Sequence, residues 1–201
     1  MTYGVELMEL RHLEGVVALQ SLCFPPPFDA ELLWKREHLL RHLELFPEGQ
    51  FIAVSEGQVV GSCSNTVISE ENWCAHRSWD DTVGGYFLDN FDGRGSTVYG
   101  LDISVHPDFR QRGIAKALYQ ARFDLVKTGY RRYGTACRLP DFIHNHFPTP
   151  ELFATAVSRC EAEDRTLTPL LKMGLTMTDV LTNYMDDPDS GTAAALLEWR
   201  P

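Results

Sequence analysis

The chain has 201 residues, room for one domain with a well-filled core or one domain carrying insertions. A formal net charge of -10 argues against a nucleic-acid binder and leaves a cationic or neutral partner open, while 44% apolar residues without any run near the ~18 of a membrane span argue for a soluble globular protein that does not enter membranes. Five cysteines without a C-x-x-C pair, and no basic, apolar leader, point away from disulfides, a zinc site and secretion, so the expectation is a reduced, cytoplasmic protein.

Val5 to Glu9 alternates and reads as a first strand; Leu13, Val16, Val17 and Gln20 then space a short helix that ends near Phe24. Pro25-Pro26-Pro27 forces a break, and Asp29 can cap a second helix with an apolar stripe through Leu32, Leu33, Arg36, Leu39, Leu40 and Leu43. Two strands, Phe51 to Ser55 and Val59 to Ser64, flank Glu56-Gly57 as a hairpin. The stretch from Thr66 to Thr97 is the least regular. It holds Trp73, His76, Trp79, Gly84-Gly85 and a turn-rich Asp92-Gly93-Arg94-Gly95-Ser96, and reads as an insertion.

Val98 to Lys127 is the most informative stretch. Leu101, Ile103 and Val105 alternate with Asp102 and Ser104, as in a strand, and Pro107 stops it. Beyond Gly113, Ile114, Leu118, Ala121 and Leu125 recur at helical spacing. The unit is strand, tight turn, helix, with Gly113 at the helix start among Arg110, Arg112 and Lys116. A helix N-terminus offers unpartnered N–H groups and about half a positive charge, and glycine lets a ligand approach the backbone, so this turn suits a phosphate. Nucleotide loops fit poorly: no Lys-Ser or Lys-Thr follows Gly113, and there is no G-x-G-x-x-G.

Arg110-x-x-Gly113-x-Ala115, preceded by Asp102-Ile103-Ser104-Val105-His106-Pro107, resembles the acyl-CoA-binding motif of the GNAT superfamily of N-acyltransferases. The resemblance implies an α+β fold: a mixed, mostly antiparallel sheet flanked by helices and splayed at the acyl-CoA site, with residues 1–201 as one domain and the insertion near 66–97. It implies that Arg110, Gln111, Arg112, Gly113, Ile114, Ala115 and Lys116 hold the CoA pyrophosphate. The pantetheine arm would then lie along Ile103, Ser104 and Val105. The first two helices would flank the acceptor, bringing Phe24 and Phe28 to it. The strand Arg132 to Arg138 would splay from Leu101–Val105, with Arg138 as a further acceptor contact.

Downstream of Leu139-Pro140, His144 and His146 have no third ligand nearby in sequence, so no metal is expected. Thr149-Pro150 opens a helix through about Glu163, Leu167 to Leu171 forms a short one stopped by Gly174, and two strands, Leu175 to Tyr184 and Ala193 to Trp199, close the chain. This tail also resembles a GNAT branch joined to carbon–nitrogen hydrolase domains.

The resemblance implies transfer of an acyl group, most simply acetyl from acetyl-CoA, to the primary amine of a small molecule by direct attack. Acidic residues at this strand position often act as the base in the family, which makes Asp102 the candidate and His106 the runner-up. The family's usual thiolate acid is a tyrosine in Leu-Tyr-x-x-x-Gly-Phe. Here that pattern aligns with Pro169-Leu170-Leu171-Lys172-Met173-Gly174-Leu175, so Leu170 replaces it, and Tyr184, or water, is left to act. The substitution keeps open a non-catalytic acyl-CoA-binding module. Acylation of a protein lysine or N-terminus and a homodimer also stay open.

Overall fold

The computed structural model describes residues 2–75 and 77–201; the expectation for His76 lies outside them. Among the described residues, seven strands form one open sheet in the order β1-β2-β3-β4-β5-β7-β6. In chain order they are β1 (Gly4–Leu7), β2 (Phe51–Ser55), β3 (Gln58–Ile68), β4 (Thr97–Val105), β5 (Arg132–Arg138), β6 (Thr176–Leu181) and β7 (Ala194–Trp199). Only β4 and β5 run parallel among the described pairs, because the helix α5 (Ile114–Val126) crosses between them. The β2–β3 turn needs two left-handed residues to match the strand twist, and Glu56 and Gly57 have φ of 51° and 80°.

Helices α1 (Leu13–Cys23) and α2 (Arg36–Leu45) cover one face, where Leu13, Val16, Leu19 and Leu39 pack against Ile52 and Val59. On the other face α5 seats Ile114 and Leu118 on Ala53, Val60 and Cys63, and Tyr119, Phe123 and Val126 join Phe153, Ala154 and Val157 of α6 (Pro150–Ser158). The buried side of α5 is therefore Ile114, Leu118, Tyr119, Arg122, Phe123 and Val126, rotated from the stripe expected through Ala121 and Leu125.

Four boundaries differ from the sequence expectation. Asp29 caps only a single turn, Ala30–Leu32. Leu33 and Lys35 are extended, which lets Trp34 turn inward to 6% exposure, and α2 starts at Arg36 with His38, Leu39 and His42 buried. The 66–97 stretch is more regular than expected: β3 runs on to Ile68, followed by α3 (Glu70–Ala75), α4 (Trp79–Val83) and one 3-10 turn, Gly85–Phe87. Glu70 fastens α3 to the sheet by accepting from Arg132 at 2.7 and 2.9 Å and from Ser96 at 3.0 Å. Helix α6 stops at Ser158, with Cys160 left-handed shortly after, and β6 ends at Leu181, well before Tyr184. The short α7 (Leu167–Lys172) ends before Gly174, whose φ is 95°.

Candidate active site

The register of β4 changes along its length. Thr97 to Gly100 pair with Arg132 to Thr135, and there the parallel ladder stops. Beyond it β5 stays paired to β7 as far as Arg138, while β4 continues on β3 alone. The two strands therefore part after Gly100 and Thr135, leaving one edge of Leu101–Val105 without a β5 partner.

A bulge sits at the same place. Ser64 faces Asp102 but Asn65 faces Gly100, so Leu101 is the extra residue on β4. Strict alternation fails here: Leu101 packs with the α1–α2 side, where Asp102 also points, whereas Ile103 and Val105 face α5. The Asp102 carboxylate accepts from the Ser64 N–H at 3.1 Å and from Gln20 Nε2 at 2.9 Å. Gln20, itself 3% exposed, also donates to Ser104 Oγ at 3.0 Å. Burial raises the pKa of Asp102 above the ordinary carboxylate value; the Arg122 guanidinium, the Trp34 indole, and the Ser64 and Gln20 bonds pull it back.

An aromatic wall stands beside this carboxylate. The Trp34 ring lies edge-on to His42 at 4.8 Å and to Tyr86 at 5.7 Å, and tilted against Trp79 at 6.3 Å. His42 Nε2 is 2.9 Å from the Tyr86 carbonyl, tying the 85–87 turn to α2, and burial lowers its pKa to about 4. Phe24 and Phe28 lie tilted against each other at 5.0 Å and are partly buried, just after α1.

Downstream, β4 runs into the turn of residues 106–113. His106 Nδ1 accepts the Asp108 N–H at 3.2 Å and its ring packs on Phe109, so it caps the Pro107–Phe109 turn. Gln111 and Gly113 have φ of 61° and 84°, a backbone shape that gathers N–H groups into an anion-holding concavity. Gly113 caps the 13-residue α5, and a Cβ there would meet only the Tyr3 hydroxyl, at 3.3 Å. Arg110, Arg112, Ala115 and Lys116 are exposed around this turn, while Ile114 is buried on the sheet. The turn thus fits a pyrophosphate at the end of the strand whose free edge lies beside Asp102.

Two expected site residues, Tyr184 and Arg138, make other contacts, and Leu170 lies in the core. Tyr184 is 2% exposed, and its hydroxyl is 2.6 Å from that of Tyr99; burial pushes its pKa up. The pair borders a small cavity of about 10 Å³, room for about one water, lined also by Trp73 and Leu196. Arg138 donates to both Asp187 oxygens, at 2.7 and 2.6 Å, and Asp187 also accepts from Ser190. Leu170 is buried in the core cluster with Phe153 and Leu139. Among the described residues no three His, Cys, Asp or Glu side chains converge as metal ligands, and His144 and His146 are exposed.

The residues that hold Asp102 were not singled out in the sequence. Gln20 looked like one more polar position of α1, and Trp34 like part of a continuous helix. Arg122 stands four residues after Leu118 and eight after Ile114, on the face that helical spacing buries; its charge disguised it.

The model described as the acetyltransferase (GNAT) family matches residues 13–146. Two relatives come from Bacillus subtilis strain 168. The probable hydrolase YhcX is 34% identical over 96% of this chain, which spans only 37% of YhcX. The uncharacterized N-acetyltransferase YkwB is 31% identical over 94% of this chain and 84% of its own length. Among solved structures, the loading GNATL domain of CurA from Lyngbya majuscula has a TM-score of 0.85 at 16% identity, covering 100% of this chain and 98% of that one. The GphF GNAT-like decarboxylase in complex with isobutyryl-CoA has a TM-score of 0.80 at 18% identity, covering 98% of each. At such identities these two speak to the fold. With the family model matching residues 13–146 of the chain and YkwB 31% identical and covered over 84% of its length, the chain belongs to the GNAT acetyltransferase family.

Proposed function

We propose that this chain is an acyl-CoA-dependent N-acyltransferase that moves an acetyl group from acetyl-CoA to the primary amine of a small molecule. The observation that carries the reading is the parting of β4 from β5 after Gly100 and Thr135, beside the Asp102 carboxylate. The free strand edge leads to the Gly113 turn, so a thioester with its pyrophosphate on α5 would lie along Ile103–Val105 with its carbonyl at the bulge. Asp102, a carboxylate whose pKa burial raises above its ordinary value, serves as the base. The amine nitrogen attacks the thioester carbon and its proton passes to Asp102, directly or through water. The C–S bond then breaks, and the thiolate takes a proton from water, with the Tyr99–Tyr184 pair as the protein's own candidate donor. The Trp34, Tyr86 and Trp79 wall favours an acceptor with an apolar or cationic body.

A second reading, an acyl-CoA-binding module without turnover, is favoured by the buried Leu170 in the tyrosine's place and by the engagement of Tyr184 with Tyr99. One assay separates them: free CoA thiol released from acetyl-CoA over a panel of small amines and a panel of peptides. Amine-dependent release supports the transferase; release with peptides alone moves the acceptor to protein. Tight acetyl-CoA binding with no release from either panel supports the second reading.

A further inference from the structure

Arg122 is a buried cation with an unusual set of partners. It is 1% exposed, on the face of α5 that packs on the sheet, opposite to the side on which the Asp102 carboxylate lies. Its Nη2 donates to the backbone carbonyls of Ser64, at 3.2 Å, and of Asp102. These are the paired residues next to the bulge on β3 and β4. Its guanidinium carbon lies 4.8 Å from the Tyr119 ring centre and 5.4 Å from that of Tyr133. Among the described residues no carboxylate pairs with it directly, and its Nε finds no acceptor. A buried charge left that way is costly, so a plain structural role would be served as well by an apolar side chain. The carboxylate that acts on it electrostatically is Asp102, through the sheet.

We propose that Arg122 is a positioning residue of the transfer reaction: from behind the sheet it fixes the bulge by holding the Ser64 and Asp102 carbonyls, and its charge keeps the Asp102 carboxylate ionised for its work as base. This rests on the transferase reading for its purpose and for the kinetic arm of its test, but not for the titration. Two carbonyls held by the two hydrogens of one guanidinium nitrogen fix the local path of both strands where β4 leaves β5. The field matters because, among the described residues, Asp102 has no direct cationic partner on its own side; Gln20 and Ser64 supply neutral donors. The titratable groups around the pair are Cys63 from β3, Tyr119 from α5, Tyr133 from β5, Cys23 from α1 beside Ser104 and, beyond Trp34, His38 and His42 from α2. Burial holds the cysteines and tyrosines above their ordinary values and the histidines below theirs, so these groups are neutral around pH 7; of the cations, Arg110 adjoins Cys23 at the end of β4 and Arg122 is the one that acts on Asp102.

The test is an NMR titration of the Asp102 side-chain carboxyl in aspartate-labelled wild type, Arg122→Gln and Arg122→Lys, each checked for folding by thermal melting. Alongside it, the pH profile of kcat/KM is recorded with whichever amine the wild type acylates. The expected result is an Asp102 midpoint about one pH unit higher in Arg122→Gln, near the wild-type value in Arg122→Lys, with the acid limb of kcat/KM moving by the same amount. The acetyl-CoA dissociation constant should change less than about threefold. An unmoved midpoint in folded Arg122→Gln, or an equal rise in Arg122→Lys, overturns the proposal. If Arg122→Gln does not fold, Arg122→Lys decides alone: a wild-type midpoint with reduced kcat supports charge plus clamp, and a midpoint raised by a unit refutes it. A moved midpoint in a protein that releases no thiol with any amine sinks the transferase reading and leaves the Arg122–Asp102 coupling standing.

Discussion

At the scale of single residues, the proposed chemistry divides between Asp102 as base and Gly113 in the pyrophosphate turn. Asp102→Asn keeps the size and an accepting oxygen for one of the Ser64 and Gln20 donors but cannot take a proton at neutral pH. A general base contributes roughly 10²- to 10⁴-fold, so turnover should fall at least about a hundredfold at pH 7 with acetyl-CoA affinity nearly unchanged. The deficit should narrow as pH rises and the amine loses its proton unaided; a loss of CoA affinity with normal turnover would make Asp102 a scaffold residue. Gly113→Asp puts a negative side chain into the N-terminal field of α5. The left-handed backbone there, φ 84°, costs a non-glycine residue about 1 kcal/mol, which a folded domain tolerates. Acetyl-CoA affinity measured by calorimetry should drop at least about a hundredfold while the melting temperature moves by a few degrees. Wild-type affinity in the folded variant would remove this turn from the site.

At the scale of elements, the joint between α2 and the 85–87 turn is the one most exposed to pH. Neutral His42 holds the Tyr86 carbonyl, and burial brings its pKa from 6.5 down to about 4. The unfolded chain therefore takes up a proton before the native one does. His42 costs nothing above pH 6.5, and native stability is lost as pH falls from 6.5 to about 4, by on the order of 3 kcal/mol if His42 alone is responsible. In thermal melts at fixed ionic strength, wild type should lose stability over that window more steeply than His42→Phe, which keeps the ring packing and cannot charge. Parallel curves would show that His42 does not couple the joint to pH. Because the same turn presents Tyr86 to Trp34, loosening it should also weaken whatever the aromatic wall holds.

At the scale of the whole molecule, the family and the sheet were legible in the sequence because they rest on local signals. The alternation of β4, Pro107, Gly113 and the helical spacing of α5 are each readable within a few residues, and strand β5 was bounded as the structure has it. The immediate surroundings of Asp102 were not, because they come from tertiary placement. Gln20 reaches it from 82 residues away, and Arg122 grips the bulge from the far side of the sheet. The bulge itself leaves no mark in an alternating pattern, yet it turns Leu101 to the face of Asp102. Likewise Trp34 enters the site because α2 starts later than its apolar residues suggest. We propose that one acyl-CoA thioester lies along the free edge of β4 with its pyrophosphate on α5. The most direct measurement is the melting temperature of the wild-type protein titrated with acetyl-CoA. A saturable rise, corresponding to about 2.7 kcal/mol at ~100 times the dissociation constant, is the expected result. No shift at millimolar acetyl-CoA would contradict it.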